Sequence, residues 1–286
     1  EEGYGEDPFL TGEMSAAYTK GLANRQGEYL QAIPTLKHFC ANNTDNERGT
    51  ASSDVDMRTL NEYYYAAFER PITCGGAYSV MVAYNELSGV PALINPDIQK
   101  VLKDRWGLGF VVTDGGDFSQ NVTFHKYSES HAETIALAIK NGTDVMSDCE
   151  DVVEAAVFEA LNSGLVSEKD IDKALYNSLL ARFRLGEFDE KHPFSDVCEM
   201  MIDNEEHKCL NRRAALEQMV LLRNSDILPI YDECSVAVVG MNGNCNLMDW
   251  YTGYSSYNTT IFDGIKERYG KAEYDNACDH IVIKSK

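Results

Sequence analysis

Positive charge is scarce in this chain: 25 Lys and Arg stand against 46 Asp and Glu in 286 residues, a formal net charge of -21. That deficit argues against nucleic acid or an anionic membrane surface as a partner, because both require a basic footprint. Neutral and cationic ligands remain open. The eight cysteines, at 40, 74, 149, 198, 209, 234, 245 and 278, form no Cys-x-x-Cys pair, which excludes a zinc ribbon and a thioredoxin-like redox motif. Reduced, partly buried thiols are expected, and with no visible leader sequence they favour a cytoplasmic setting. No apolar run approaches the roughly 20 residues needed to cross a bilayer, so no membrane partner is expected. His125 and His131 are too far apart to share one helix face as metal ligands, and Val239 to Gly243 lacks the full Gly-x-Gly-x-x-Gly spacing of a dinucleotide site. Neither a metal nor an organic cofactor is expected. Asn-x-Thr sequons at Asn42, Asn121, Asn141 and Asn258 matter only in a secreted eukaryotic protein, and chance explains them equally well.

What is present is an ordinary globular composition, 44% apolar, which supports one sizeable core and, by length, one to two domains. The chain opens on Glu1 inside an acidic, glycine-bearing loop closed by Pro8, so a native N-terminal portion is expected to be missing. Helical spacing follows from Leu10, with Met14, Ala17, Tyr18, Gly21 and Leu22 in step. Ile33 to Phe39 is then a strand, Asn42 to Asp56 a polar loop without period, and Met57 to Phe68 a helix. Tyr78 to Tyr84 is the next strand. Asn95 and Pro96 supply an N-cap and a first helical position for a helix to Trp106. After the apolar block of Phe110 to Val112, a helix from about Ser130 to Lys140 stops at Gly142, and Asp144 to Met146 is a short strand. Helices over Val152 to Leu161 and from the Ser167/Asp170 capping-box spacing complete this part.

The count is four strands, each followed by a helix: Ile33 to Phe39, Ser79 to Ala83, Phe110 to Thr113 and Asp144 to Met146. Such alternation predicts an α/β fold with parallel strands and covering helices. A closed (β/α)₈ barrel needs eight units and about 250 residues, so the pattern is either an open sheet or the second half of a barrel. A linker with a connecting helix is placed at 191–212, after a barrel-like part at 1–190. A helix from about Glu205 to Leu222 and a buried strand at Ser235 to Gly240 then begin a second α/β unit, placed at 213–286.

Three of the four strands end on groups able to grip or attack a polar ligand: Lys37-His38, Tyr84 and Asp114. Gly115 and Gly116 leave the Asp114 carboxylate without a covering neighbour. The C-terminal strand ends of an α/β barrel share one rim, so these groups would converge there. Each also has a plainer explanation. Asp114 suits an Asp-Gly turn, Lys37 a solvated strand end, His38 a satisfied core histidine, and Tyr84 a core aromatic with a surface hydroxyl. Asp117, Asp144 and Asp148 are assigned loop and cap roles.

Several blocks in order resemble glycoside hydrolase family 3, the β-glucosidase and β-xylosidase family. They are Tyr4 to Glu13, Thr35-Leu36-Lys37-His38-Phe39, Ser79 to Asn85 with Gly89 after it, Trp106 to Gly116, and Met219 to Ile230. The resemblance implies the C-terminal half of a (β/α)₈ TIM-type barrel followed by the start of an α/β sandwich domain. It implies a retaining hydrolase of terminal β-linked sugars, acting on a small oligosaccharide or an aryl or alkyl glycoside. Asp114 sits at the family's catalytic nucleophile, Lys37 and His38 at a pair that binds sugar hydroxyls, and Tyr84 at a tyrosine lining the same pocket. A β-xylosidase, or a non-catalytic carbohydrate-binding or scaffold protein, is the alternative. The family's upstream sugar-binding Asp and Arg are absent before Glu1, and its acid/base block is expected to lie outside this chain. By itself the chain is therefore expected to show little hydrolase activity. Cys40-Ala41-Asn42-Asn43 stands where an N-acetylglucosamine-cleaving subgroup has Pro-Gly-His-Gly, which disfavours that activity.

Overall fold

Asp7 and Pro8 start the first helix, α1 (Pro8–Ala23): the Asp7 carboxylate accepts the Phe9 N–H at 2.9 Å and proline occupies the first turn, where its missing N–H costs nothing. In the computed structural model the described residues are 3–44, 46–231, 234–248, 251–253, 257–276 and 282–284. They divide into two compact units, Glu1–Cys198 and Glu199–Lys286.

In the first unit, α1 leads to β1 (Thr35–Phe39), the two-residue β2 (Ser52–Ser53) and α2 (Met57–Thr59). A π-helical turn, Leu60–Tyr64, joins α2 to α3 (Ala66–Thr73). Next come β3 (Ser79–Val82), the hairpin of β4 (Glu86–Leu87) and β5 (Val90–Pro91), a π-helix at Ile98–Lys103, and β6 (Phe110–Val112). The helices α4 (Asp117–Thr123), α5 (His131–Lys140), α6 (Glu150–Asn162) and α7 (Glu168–Arg184) complete the unit.

β1, β3 and β6 form one parallel sheet in that spatial order, with Thr35 opposite Ser79 and Ser79 opposite Phe110. The register of β1 on β3 shifts between Leu36 and Phe39, and the Lys37–His38 and Phe39–Cys40 peptide bonds are cis. The strand expected at Asp144 to Met146 is reduced to a single parallel bridge, Val145 to Val112. Its extended run is short because Ser147 N–H turns at once to the Thr113 hydroxyl at 2.8 Å. The expected loop of Asn42 to Asp56 contains β2, which pairs in parallel with β4. The expected helix before Trp106 is the π-helix, and its N-cap is Asp97 rather than the expected Asn95, whose side chain instead accepts the Asp97 N–H at 2.9 Å in the turn before it.

Val80, Val82 and Val111 are fully buried on the sheet, against Leu93, Ile98 and Leu102. Phe118, Ile135, Ala156 and Ala160 form a second cluster between α4, α5 and α6. Each fully buried aliphatic or phenyl side chain here contributes about 1.5–3 kcal/mol relative to exposure. Close approach of α1 to the end of α3 depends on Gly75, where a Cβ would lie 2.6 Å from the Ala16 Cα and 2.8 Å from the Pro71 carbonyl. Asn121 is fully buried, so its sequon is unavailable for glycosylation.

In the second unit, α8 (Glu205–Gln218) is capped by Asn204 and ends four residues short of the expected Leu222. β7 (Ser235–Val239) buries Val236 and Val238 and ends at Gly240, whose φ of 117° suits glycine. The helix α9 (Ile261–Tyr269) crosses from β7 to the parallel β8 (Ala272–Asp275), while β9 (Val282–Lys284) pairs antiparallel on the other side of β7. Among the described residues, no helix is long and apolar enough to cross a membrane.

Candidate active site

Because β1, β3 and β6 are parallel and adjacent, their C-terminal ends bring residues 38, 84 and 114 to one edge of the sheet. The His38 Nε2 lies 3.0 Å from the Asp114 Oδ2, while the other carboxylate oxygen accepts the Gly115 N–H at 2.7 Å. The Tyr84 hydroxyl donates to the Gly115 carbonyl at 2.8 Å and stands within hydrogen-bonding reach of Asp114. A phenol has one proton, so it serves one of these acceptors at a time. Over the face of the Tyr84 ring, 4.8 Å from its centroid, lies the Arg48 guanidinium, within cation–π range.

These contacts set the charge state of the cluster. Burial pushes the Asp114 carboxyl up, but the hydrogen bonds from His38, Gly115 N–H and Tyr84 outweigh it and hold the group below the ordinary carboxylate range. The side chain is still 21% exposed, so the carboxylate is not sealed from solvent. Burial, then the Asp114 charge and hydrogen bond, push the Tyr84 phenol up to about 12, so it stays protonated as a donor.

Asp117 is the counterpart. It opens α4 only 1% exposed, and its Oδ2 has no partner among the described residues. Burial first, then the charges of Asp114 and Asp148, push its pKa well above the usual carboxylate value. The two carboxyls are thus shifted in opposite directions, Asp117 up and Asp114 down, the outcome expected when neighbouring carboxyls occupy unlike environments. Asp148 is committed to the backbone, accepting Ser119 N–H at 2.9 Å and Cys149 N–H at 2.7 Å.

Lys37 is half-buried on β1 and shares with His38 a cavity of about 340 Å³ that Asn42, Asn43, Tyr63 and Tyr64 also line. The loop after β1 is pinned by the buried Asn85, whose amide donates to the Cys40 carbonyl at 3.3 Å, and by the Ser53 hydroxyl, which donates to the Ala41 carbonyl at 2.8 Å. His125 supports the end of β3: its ring is fully buried, with Nε2 2.7 Å from the Tyr84 carbonyl and Nδ1 3.1 Å from Glu86. Among the described residues, no three of His, Cys, Asp and Glu gather as a metal site. Arg48, Asn85, Asp117 and His125 escaped the sequence reading because their roles arise from loop packing, which has no period.

The N-terminal domain model of glycosyl hydrolase family 3 matches residues 1–178. This chain belongs to that family. Among curated relatives, it is 31% identical to a β-xylosidase of Formosa agariphila, over 98% of this chain and 42% of that protein. It is 32% identical to the thermostable β-glucosidase B of Acetivibrio thermocellus, over 84% of this chain and 29% of that protein. Among solved structures, a family 3 exo-β-xylosidase in complex with a xylobiose aziridine activity-based probe superposes with a TM-score of 0.87 at 26% identity, covering 96% of this chain and 37% of that one. A β-glucosidase from Listeria innocua in complex with glucose gives 0.84 at 26% identity, covering 96% and 39%. The chain thus spans about two fifths of the length of the first relatives it matches.

Proposed function

We propose that the complete protein is a retaining exo-acting β-glycosidase, releasing terminal β-linked sugar from small oligosaccharides or aryl and alkyl glycosides, with Asp114 as nucleophile. The observation that carries this reading is the state of Asp114: ionised, part-exposed, and oriented through both oxygens by His38 and Gly115 N–H. A retaining mechanism requires such a carboxylate to attack the anomeric carbon and form a covalent glycosyl-enzyme, which water then hydrolyses. Lys37 and His38 are assigned to sugar hydroxyls, and Tyr84 to the wall of the same pocket. The acid/base carboxyl, which should stand roughly 5 to 5.5 Å from the nucleophile, is assigned outside this chain. Asp117 is too deeply buried to reach a leaving group, and Asp148 is occupied as a cap. The four successive parallel segments are assigned to the second half of a (β/α)₈ barrel, in keeping with sugar-binding groups gathered at strand C-termini. Similarity to β-xylosidases and to β-glucosidases supports xylose and glucose alike as the released sugar.

A mechanism-based fluoro-sugar incubated with the complete protein should add covalently to Asp114, located by peptide mass spectrometry. The Asp114→Asn variant should take up none. A protein saturated by sugar but never labelled would support the carbohydrate-binding alternative instead. Turnover of a panel of nitrophenyl glycosides would separate glucose from xylose.

A further inference from the structure

At the opposite, N-terminal end of the same sheet, where Tyr78 enters β3 and Gly107 precedes β6, lies a cavity of about 540 Å³. Its lining includes three cations from separated parts of the chain: Lys20 in the last turn of α1, Arg25 just beyond it, and Arg184 closing α7. In a chain of charge -21, three cations around one hollow is an unusual concentration. Arg184 is the informative member. Its guanidinium is fixed over the Tyr78 ring, 5.2 Å from the centroid, and its Nε–H is buried with no acceptor among the described residues. A buried N–H without a protein acceptor is a donor that an anion in the cavity can satisfy.

Among the described residues, no acidic side chain lines the cavity. The nearby Glu28, 79% exposed, reaches Arg25 at 3.4 Å and Arg184 at 3.8 Å, and pairs this exposed are weak. Lys20 has no ion-pair partner among the described residues. Helix C-termini repel anions, but those of α1 and α7 are already engaged: Lys20 and Ala181 carbonyls accept Asn24 and Leu185 N–H groups. Three full positive charges therefore prevail over one solvated carboxylate and the capped helix ends.

We infer that this cavity is an anion site, distinct from the Asp114 cluster, that takes a doubly charged oxyanion of the phosphate type, free or carried on a small organic body. Leu30, Ile72 and Ala77 supply an apolar wall against which such a body would rest.

The test is calorimetric titration of inorganic phosphate into the complete protein, with sodium chloride holding ionic strength constant. One saturable site is expected, with sulfate competing and glucose not. Lys20→Gln, Arg25→Gln and Arg184→Gln should each weaken binding roughly tenfold, the loss of one charge-assisted hydrogen bond. Glu28→Gln should tighten it. Lys20 and Arg25 are exposed, so their variants keep the fold and decide the matter even if Arg184→Gln does not. Unsaturable heats, or unchanged affinity in Lys20→Gln and Arg25→Gln, would overturn the inference. A sugar phosphate binding more tightly than inorganic phosphate would identify the organic body as part of the ligand.

Discussion

At the scale of single residues, the Asp114–Asp117 pair shows how environment separates two carboxyls close in sequence. Asp114 is exposed enough to be solvated and accepts donors from three groups, whereas Asp117 is almost wholly buried. The raised Asp117 pKa fixes the sign of its effect on stability. Above the unfolded value near pH 4, the unfolded chain releases this proton while the folded chain keeps it. Stability is then lost as pH rises toward the folded pKa. Asp117→Asn, a neutral isostere, should accordingly raise the urea midpoint at pH 7, and the gain should shrink toward zero below about pH 4. A gain that persists unchanged in acid would show that shape, not charge, is responsible.

Among elements, the weakest strand signal is fastened most strongly. The bridge at Val145 is held through Asp144, whose carboxylate takes the Lys103 ammonium at 2.7 Å, the Val111 N–H at 2.9 Å and the Asn177 amide at 2.9 Å. This one buried side chain ties the π-helix, β6 and α7 together, well beyond the loop role expected of it. Lys103→Met should cost about 3–5 kcal/mol in chemical denaturation, because it leaves a buried carboxylate unpaired. Adding Asp144→Asn should recover part of that loss. Equal losses in the single and double variants would show that packing of the lysine stem, not its charge, matters.

Over the whole molecule, the excess of acid acts as self-repulsion. Raising salt from 10 to 150 mM shortens the screening length from about 30 Å to about 8 Å, so the urea midpoint at pH 7, followed by near-ultraviolet circular dichroism, should rise. A flat response would mean that the charges are already locally paired. Exposed pairs such as Arg58 with Glu62, 3.0 Å apart, are present, but 25 cations cannot neutralise 46 anions.

The sequence by itself determined the α/β alternation, the capping box at Ser167 and Asp170, the apolar blocks of β3 and β6, and polar groups at strand ends. All of these are local: a periodic pattern or a capping side chain acts within a few residues, so its consequence can be read without the partner. Tertiary structure alone decided that His38 meets Asp114 at 3.0 Å, that Asp117, expected in a loop or cap role, is almost wholly buried at the start of α4, and that His125 underpins Tyr84. It also decided that Lys20, Arg25 and Arg184 surround one cavity. Contacts across tens or more than a hundred positions depend on strand order and loop packing, which fix both the distance between two charges and how much water remains around them.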